Sequence, residues 1–241
     1  MQEREHASRS GERPEQGGGQ REFMRYAFYK VSAEWRRLPA SERGESKREF
    51  ASAVAGVSET LSLRPFSLAG IRGDVDFMLW MKTPNLDDLQ RSGERLNATH
   101  LGRYSSLPYS YLAITRPSPY LSSPRERPKE AQFEQAKYLF VYPFVKTRAW
   151  YALPQQWRKA MMLEHIGVGA KYPSVRINTG YSYGLDDQEH MVSFETESPS
   201  DFVDLVMALR ESQQSSYTLR DTPVFTCVSA EMPAILDSIA G

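Results

Sequence analysis

WRRLPASERGESKREF (35–50) and WYALPQQWRKAMMLEH (150–165) are the two stretches from which the fold is read. Each opens on a tryptophan and reaches Leu-Pro three residues later. Each then enters a helix-like segment, with proline at the first turn, where its missing N–H leaves no bond unmade. Aligning Pro39 with Pro154 sets a displacement of 115 residues. The same displacement pairs Arg43 with Arg158, Glu49 with Glu164 and Pro84 with Pro199. One displacement across all these landmarks predicts a duplicated chain.

Working outward, each half reads alike. A strand comes first (23–31; 137–145), then the Leu-Pro helix. Two strands follow (67–73 and 75–83; 174–184 and 189–197), then a second helix (85–96; 200–212) and a closing strand (103–115; 222–230). That order is βαββαβ, the ferredoxin-like pattern, and it predicts an α+β chain. The expected organisation is a disordered tail at 1–22, a first half at 23–115, a Pro-rich linker at 116–130 and a second half at 131–241.

Composition removes several function classes. Lys+Arg and Asp+Glu are both 30 in 241 residues, so the basic excess that grips nucleic acid is missing. No apolar run approaches the roughly 20 residues a membrane helix needs. The first segment lacks the apolar core of a signal peptide. One cysteine, Cys227, allows no internal disulfide and reads as a core thiol; a cytoplasmic protein is expected. The sequence has no G-x-S-x-G, GxGxxG or P-loop. GIRGDVDF (70–77) reads as a turn.

The second Leu-Pro helix carries one anomaly. Trp157, Met161, His165 and Val168 fall on one helical stripe. By the 115-residue displacement His165 takes the place of Phe50, so an imidazole stands where the first half has an apolar ring. Burying it without a partner costs on the order of 1–3 kcal/mol. Two readings compete: a core histidine bonded to a carbonyl or carboxylate, and a metal or cofactor ligand. Zinc needs three or four ligands, and only His100, His165 and His190 lie outside the tail, which holds His6. Haem iron needs one proximal histidine, because the porphyrin supplies four nitrogens.

The second half contains YPFVK (142–146), EHIGVG (164–169) and GLDDQE (184–189) in this order. This set resembles the chlorite-dismutase-like haem proteins, and among them most closely the coproheme decarboxylases. The resemblance spans about residues 23–233 and is specific in the second half. It implies two ferredoxin-like halves closed into a dimeric α+β barrel within one chain, with haem in the second half, usually in a homopentamer. His165 matches the proximal iron ligand, with Glu211 the partner of its second nitrogen; a solvated helix-end carboxylate is the rival reading. Tyr142 matches the family's redox-active tyrosine. Strand alternation puts Tyr142, Phe144 and Lys146 on one face; Phe144 stands where some decarboxylases carry methionine. Lys146 is read as the partner of a propionate, against the alternative that it reaches past a strand end to water. Tyr111, Thr222 in the last strand, and Arg125 or Arg127 in the linker are further propionate holders on the same resemblance. Structural roles stay open for all four.

The implied reaction takes iron coproporphyrin III (coproheme) as substrate and hydrogen peroxide as oxidant, and decarboxylates two propionates to vinyls, giving haem b. Coproporphyrin ferrochelatase is the partner the resemblance suggests. The sequence departs from the chlorite-degrading members at Ile177, seven residues before Gly184, where those carry a distal arginine. Ile cannot donate a hydrogen bond to an oxyanion, and such a donor is often worth about 3 kcal/mol, so little chlorite dismutase activity is expected. The competing functions are a haem carrier or sensor with weak peroxidase activity, and a haem-free ferredoxin-like dimer.

Overall fold

The computed structural model describes residues 20–120 and 136–240. His6, most of the tail, and linker residues 121–130 with Arg125 and Arg127 lie outside the described residues.

The first half runs β1 (Phe23–Val31), α1 (Ala33–Arg36), α2 (Ala40–Ser58), β2 (Ser62–Ser67), β3 (Phe77–Thr83), α3 (Leu86–Ala98), α4 (His100–Arg103) and β4 (Ser105–Ile114). The second runs β5 (Tyr138–Lys146), α5 (Arg148–Ala152), α6 (Gln155–Gly169), β6 (Arg176–Tyr181), β7 (His190–Thr196), α7 (Pro199–Arg210), a 3-10 turn (Gln213–Tyr217), β8 (Thr218–Arg220), β9 (Phe225–Ser229) and α8 (Met232–Ala240). Both halves are βαββαβ. The 115-residue displacement carries β1 onto β5 residue for residue, and the start of α2 onto that of α6. It slips to 113 by β3 and β7 and stays there for α3 and α7, so Pro84 and Pro199 are not equivalent. Pro84 precedes the Asn85 cap, whereas Pro199 opens its helix.

The expected strand at 67–73 is a correction: β2 lies earlier, at 62–67, and 68–76 is a loop with Gly70 at φ +76°. That angle favours glycine, because a Cβ there clashes with its own backbone. Pro65 disguised the strand. Its missing N–H is tolerated because β2 pairs β3 at that position, while β9 pairs only Phe66 and Ser67.

Strand order is β7-β6-β4-β1-β3-β2-β9-β5-β8, and β5 also pairs β7. Eight strands therefore close a ring, with β8 appended to β5. Within each half the order is that of a ferredoxin-like sheet. The seams are β2–β9 and β4–β6, the latter joined through the pair Ile114–Tyr181.

Three apolar clusters follow. Met24, Phe28, Phe66, Val141, Phe225 and Cys227 fill the ring. The first half's helices bury nineteen residues with β1, β3 and α8, among them Phe50, whose ring packs against Tyr29 and Phe77. The second half's helix layer buries five. At one end of the ring Glu195 is enclosed between Arg64 (2.6 Å) from the first half, Arg176 and Asn178 (3.1 Å). Burial pushes its carboxyl up, but the two guanidiniums outweigh that and hold it below the ordinary range.

Candidate functional site

Even-numbered residues of β5 face α6 and α7, while Leu139 and Val141 fill the ring. Tyr142, Phe144 and Lys146 therefore share the helix-facing side, as alternation predicts. Tyr142 stacks on Phe194 at 5.8 Å. Its phenol has no hydrogen-bond partner among the described residues, and burial raises its pKa.

Lys146 does not reach for water: it is 6% exposed, after a bulge between Val145 and Lys146. Its ammonium lies 4.7 Å from the Trp150 ring centroid and 5.1 Å from that of Phe144. Burial lowers its pKa to about 8, with Glu189 pulling the other way. Nζ donates to the backbone carbonyl of Gln214 at 2.9 Å and to that side chain's Oε1. The Gln214 amide nitrogen lies 2.9 Å from His165 Nδ1. One buried amide thus joins the cation of β5 to the histidine of α6.

This corrects the expected partner. Glu211 is exposed and borders a cavity of about 460 Å3 with Met161; Gln214 meets His165 instead. The sequence hides Gln214 in the polar run QQSS, which folds as a 3-10 turn. The apolar stripe is corrected too. Helix α6 buries no residue, and Trp157 is 57% exposed, although α2 buries Phe50 and four others. His165 is half-buried where Phe50 is fully enclosed. The helix that carries His165 is thus less enclosed than its counterpart in the first half.

Burial, reinforced by the charge of Lys146, lowers the His165 pKa to about 4. His190 on β7 is lowered to about 4 by the same two causes. Both imidazoles are neutral at physiological pH, the form in which histidine binds a metal. Because the unfolded chain takes up these protons near the ordinary pKa of 6.5 and the folded chain only near 4, stability falls as pH drops between those values. Imidazole proton shifts followed by NMR should give both low midpoints.

The remaining sequence candidates separate. Tyr111 and Thr222 do come together, around a cavity of about 350 Å3 that Arg220, Asp186 and Pro143 also line. Thr222 lies in the turn before β9 rather than in the strand. Burial pushes the Tyr111 phenol up to about 12. Ile177 on β6 is 42% exposed, and its Cδ1 lies 3.3 Å from where a Cβ on Gly169 of α6 would stand. His100 opens α4, 3.5 Å from Glu42 and away from His165. Among the described residues no group of three or more His, Cys, Asp or Glu could hold a metal ion, and no helix is long and apolar enough to cross a membrane.

GLDDQE is a bracket. Asp186 accepts the Leu112 N–H at 2.7 Å, tying β4 of the first half. Glu189 accepts the Lys146 N–H at 2.7 Å, steadying the strand end that carries the ammonium.

The family model described as chlorite dismutase matches residues 25–230. A coproheme decarboxylase of Mycolicibacterium smegmatis is 35% identical over 162 residues, 67% of this chain and 70% of that protein. A mutant chlorite dismutase from Candidatus Nitrospira defluvii superposes with a TM-score of 0.85 at 26% identity, covering 91% of this chain and 96% of that one. The same organism's chlorite dismutase in complex with imidazole gives a TM-score of 0.85 at 26% identity, covering 91% and 95%.

Proposed function

From the premise that this chain belongs to the chlorite dismutase family, we propose that it is a coproheme decarboxylase. It acts in haem synthesis as a cytoplasmic homopentamer, taking coproheme from coproporphyrin ferrochelatase and using hydrogen peroxide to convert two propionates to vinyls. The single observation carrying this reading is the set His165–Gln214–Lys146, on the helix-facing side of β5 with Tyr142: a neutral imidazole, a buried cation and a phenol with no hydrogen-bond partner among the described residues.

Each propionate loses its β-hydrogen, its carboxylate carbon as CO2 and, in all, two electrons. One peroxide, with a proton, becomes two waters. Iron coproporphyrin supplies the oxidising chemistry that peroxide drives. The residues have separable tasks. His165 would hold the iron through a ring nitrogen. Tyr142, once it has given up its phenolic hydrogen, takes the hydrogen from the propionate β-carbon. Lys146 holds the reacting carboxylate, and with its pKa near 8 it can also hand on a proton. Tyr111 and Thr222, with Arg125 or Arg127, hold other propionates. A guanidinium suits that task, because it meets a carboxylate with two parallel bonds. Phe144 packs against Lys146 and His190, and Ile177 would form the face across from His165.

Gln214 has one carbonyl oxygen and two claimants. As placed, the oxygen serves Lys146 and the amide N–H2 faces His165 Nδ1. A histidine that gives Nε2 to iron carries its proton on Nδ1 and needs an acceptor there. Turning the amide supplies one and withdraws the oxygen from Lys146, freeing the ammonium for a carboxylate. Gln214→Leu should therefore weaken iron coproporphyrin binding roughly 10- to 100-fold, the range for such supporting partners. Unchanged affinity by absorbance titration would remove Gln214 from the site.

The test of the function is product mass. Iron coproporphyrin III is bound, peroxide is added stepwise, and two successive losses of formic-acid equivalents are expected. Tight binding with no mass change would point to a carrier or sensor. The fold likeness to chlorite dismutases favours a second activity, but Ile177 gives an oxyanion no donor. Oxygen evolution from chlorite should therefore be slight, and vigorous evolution at an oxygen electrode would count against the assignment of Ile177.

A further inference from the structure

Beside the site lies a hydrogen-bond chain that the proposed chemistry does not use. Tyr151 of α5 is 2.6 Å from Glu189 Oε2 and 2.7 Å from the Tyr183 phenol. A carboxylate can only accept, so Tyr151 donates to Glu189 and its oxygen takes the Tyr183 O–H. Tyr183 lies 3.4 Å from His190 Nε2, which is left to donate. The chain therefore has one direction, from His190 through two phenols to a carboxylate. Aromatic rings follow the same line. The His190 ring centroid is 6.1 Å from Phe144 and 5.0 Å from Tyr183, and Tyr183 is 6.3 Å from Tyr151. Phe144 follows Tyr142 on the same strand face, about 7 Å along. Tyr183 is 50% exposed, so the line ends at the surface.

We propose that Tyr151 and Tyr183 form a second redox site, where a small one-electron donor such as a phenol returns electrons to an oxidised Tyr142. The inference rests on the reading of Tyr142 given above, with peroxide as the ultimate oxidant. Losing an electron makes a phenol a strong acid. Tyr151 is hydrogen-bonded to a carboxylate that can take that proton in the same step, and Tyr142, though Asp221 lies near enough to act on it, is hydrogen-bonded to none among the described residues. In the transfer the Tyr151 O–H bond breaks, its proton passes to Glu189 Oε2, and its electron goes to the Tyr142 phenoxyl. That group takes a proton from solvent and is a phenol again. The donor, in contact with exposed Tyr183, then gives one electron through it. Glu189 returns its proton to Tyr151, and the donor's own proton leaves to solvent. In sum, one hydrogen atom moves from the donor to Tyr142. The route protects the site whenever peroxide arrives and no propionate is in place to react.

The test uses the full chain loaded with iron coproporphyrin III, given peroxide together with a nitroso spin trap, and digested for peptide masses. Adducts are expected on Tyr151 or Tyr183, falling at least fivefold in Tyr142→Phe. Tyr183→Phe should slow oxidation of an added phenol at least fivefold while leaving decarboxylation of the bound substrate unchanged. Adducts at Tyr142 with none at Tyr151 or Tyr183, or a phenol rate unmoved in Tyr183→Phe, would overturn the second site and leave the Tyr142 reading standing. Absence of any tyrosine adduct would overturn both. A further arm needs no porphyrin. A flash-generated one-electron oxidant acting on the haem-free chain should label Tyr151 at least fivefold less in Glu189→Gln, and equal labelling would contradict the coupled proton transfer.

Discussion

Tyr142→Phe should bind iron coproporphyrin III within about threefold of the wild-type affinity and yet decarboxylate it on the order of 10^3-fold more slowly, within the range for a positioned group that moves a proton. The substitution removes one oxygen and leaves the ring. That ring stacks on Phe194 and makes no hydrogen bond through its phenol to any described residue, so folding loses almost nothing. What disappears is the O–H bond that can be given up and re-formed. The phenol is held neutral by burial, so a whole hydrogen atom, rather than an electron alone, is what it can exchange. The measurement is product mass against time after each peroxide addition, with affinity from absorbance titration on the same sample. A mutant that retains more than about a tenth of the rate would show that the hydrogen is taken elsewhere, whereas lost binding would recast Tyr142 as a wall of the pocket.

The second large effect is on stability. Glu195→Ala should cost about 3–5 kcal/mol, the range for removing one partner of a buried ion pair, and so lower the melting temperature by roughly 6–20 °C for a chain of this size. The side chain is 1% exposed, and both its oxygens are taken, one by Arg64 and the other by Arg176 and Asn178. Without it two guanidiniums face each other in the ring with nothing between them. Glu195→Gln keeps the volume and some of the bonds and should lose less. The carboxyl is held below its ordinary range, so its contribution is complete above the unfolded carboxylate pKa and is lost as pH falls through the lower folded value. Thermal melts at neutral and at acid pH check both statements. Equal melting of wild type and Glu195→Ala at neutral pH would sink the idea that the cluster locks the two halves.

The sequence made the repeat legible because Leu-Pro marks a helix start in both halves and β1 and β5 share their alternation. It failed at β2, where Pro65 resembles a break and is in fact accommodated by a one-sided pairing. The slip from 115 to 113 was invisible because residue matches at Pro84 and Pro199 outlived the structural equivalence. At the site, His165 was legible as the counterpart of Phe50 in the repeat, while Tyr142 and Lys146 were legible through the family resemblance, with strand alternation putting them on one face. Gln214 could not, since a glutamine in a polar turn carries no periodic signal. The Arg64–Glu195 pair was equally hidden, because its members lie in different halves and only ring closure makes them neighbours.

Three substitutions separate the sister halves at their shared positions: Ala27 against Tyr142, Val31 against Lys146, and Phe50 against His165. In the first half all three are fully packed, within a cluster of nineteen that borrows α8 from the far end of the chain. The second half keeps five. The first sister is the keel, and the second is free to be hollow. A self-associating ancestor with identical halves would have had to seat its chemistry and its ballast in the same residues. Two halves in one chain carry no such obligation. Backbone amides of β1, β3 and α2 should accordingly exchange hydrogen slowest, and those of α6 fastest among the long helices.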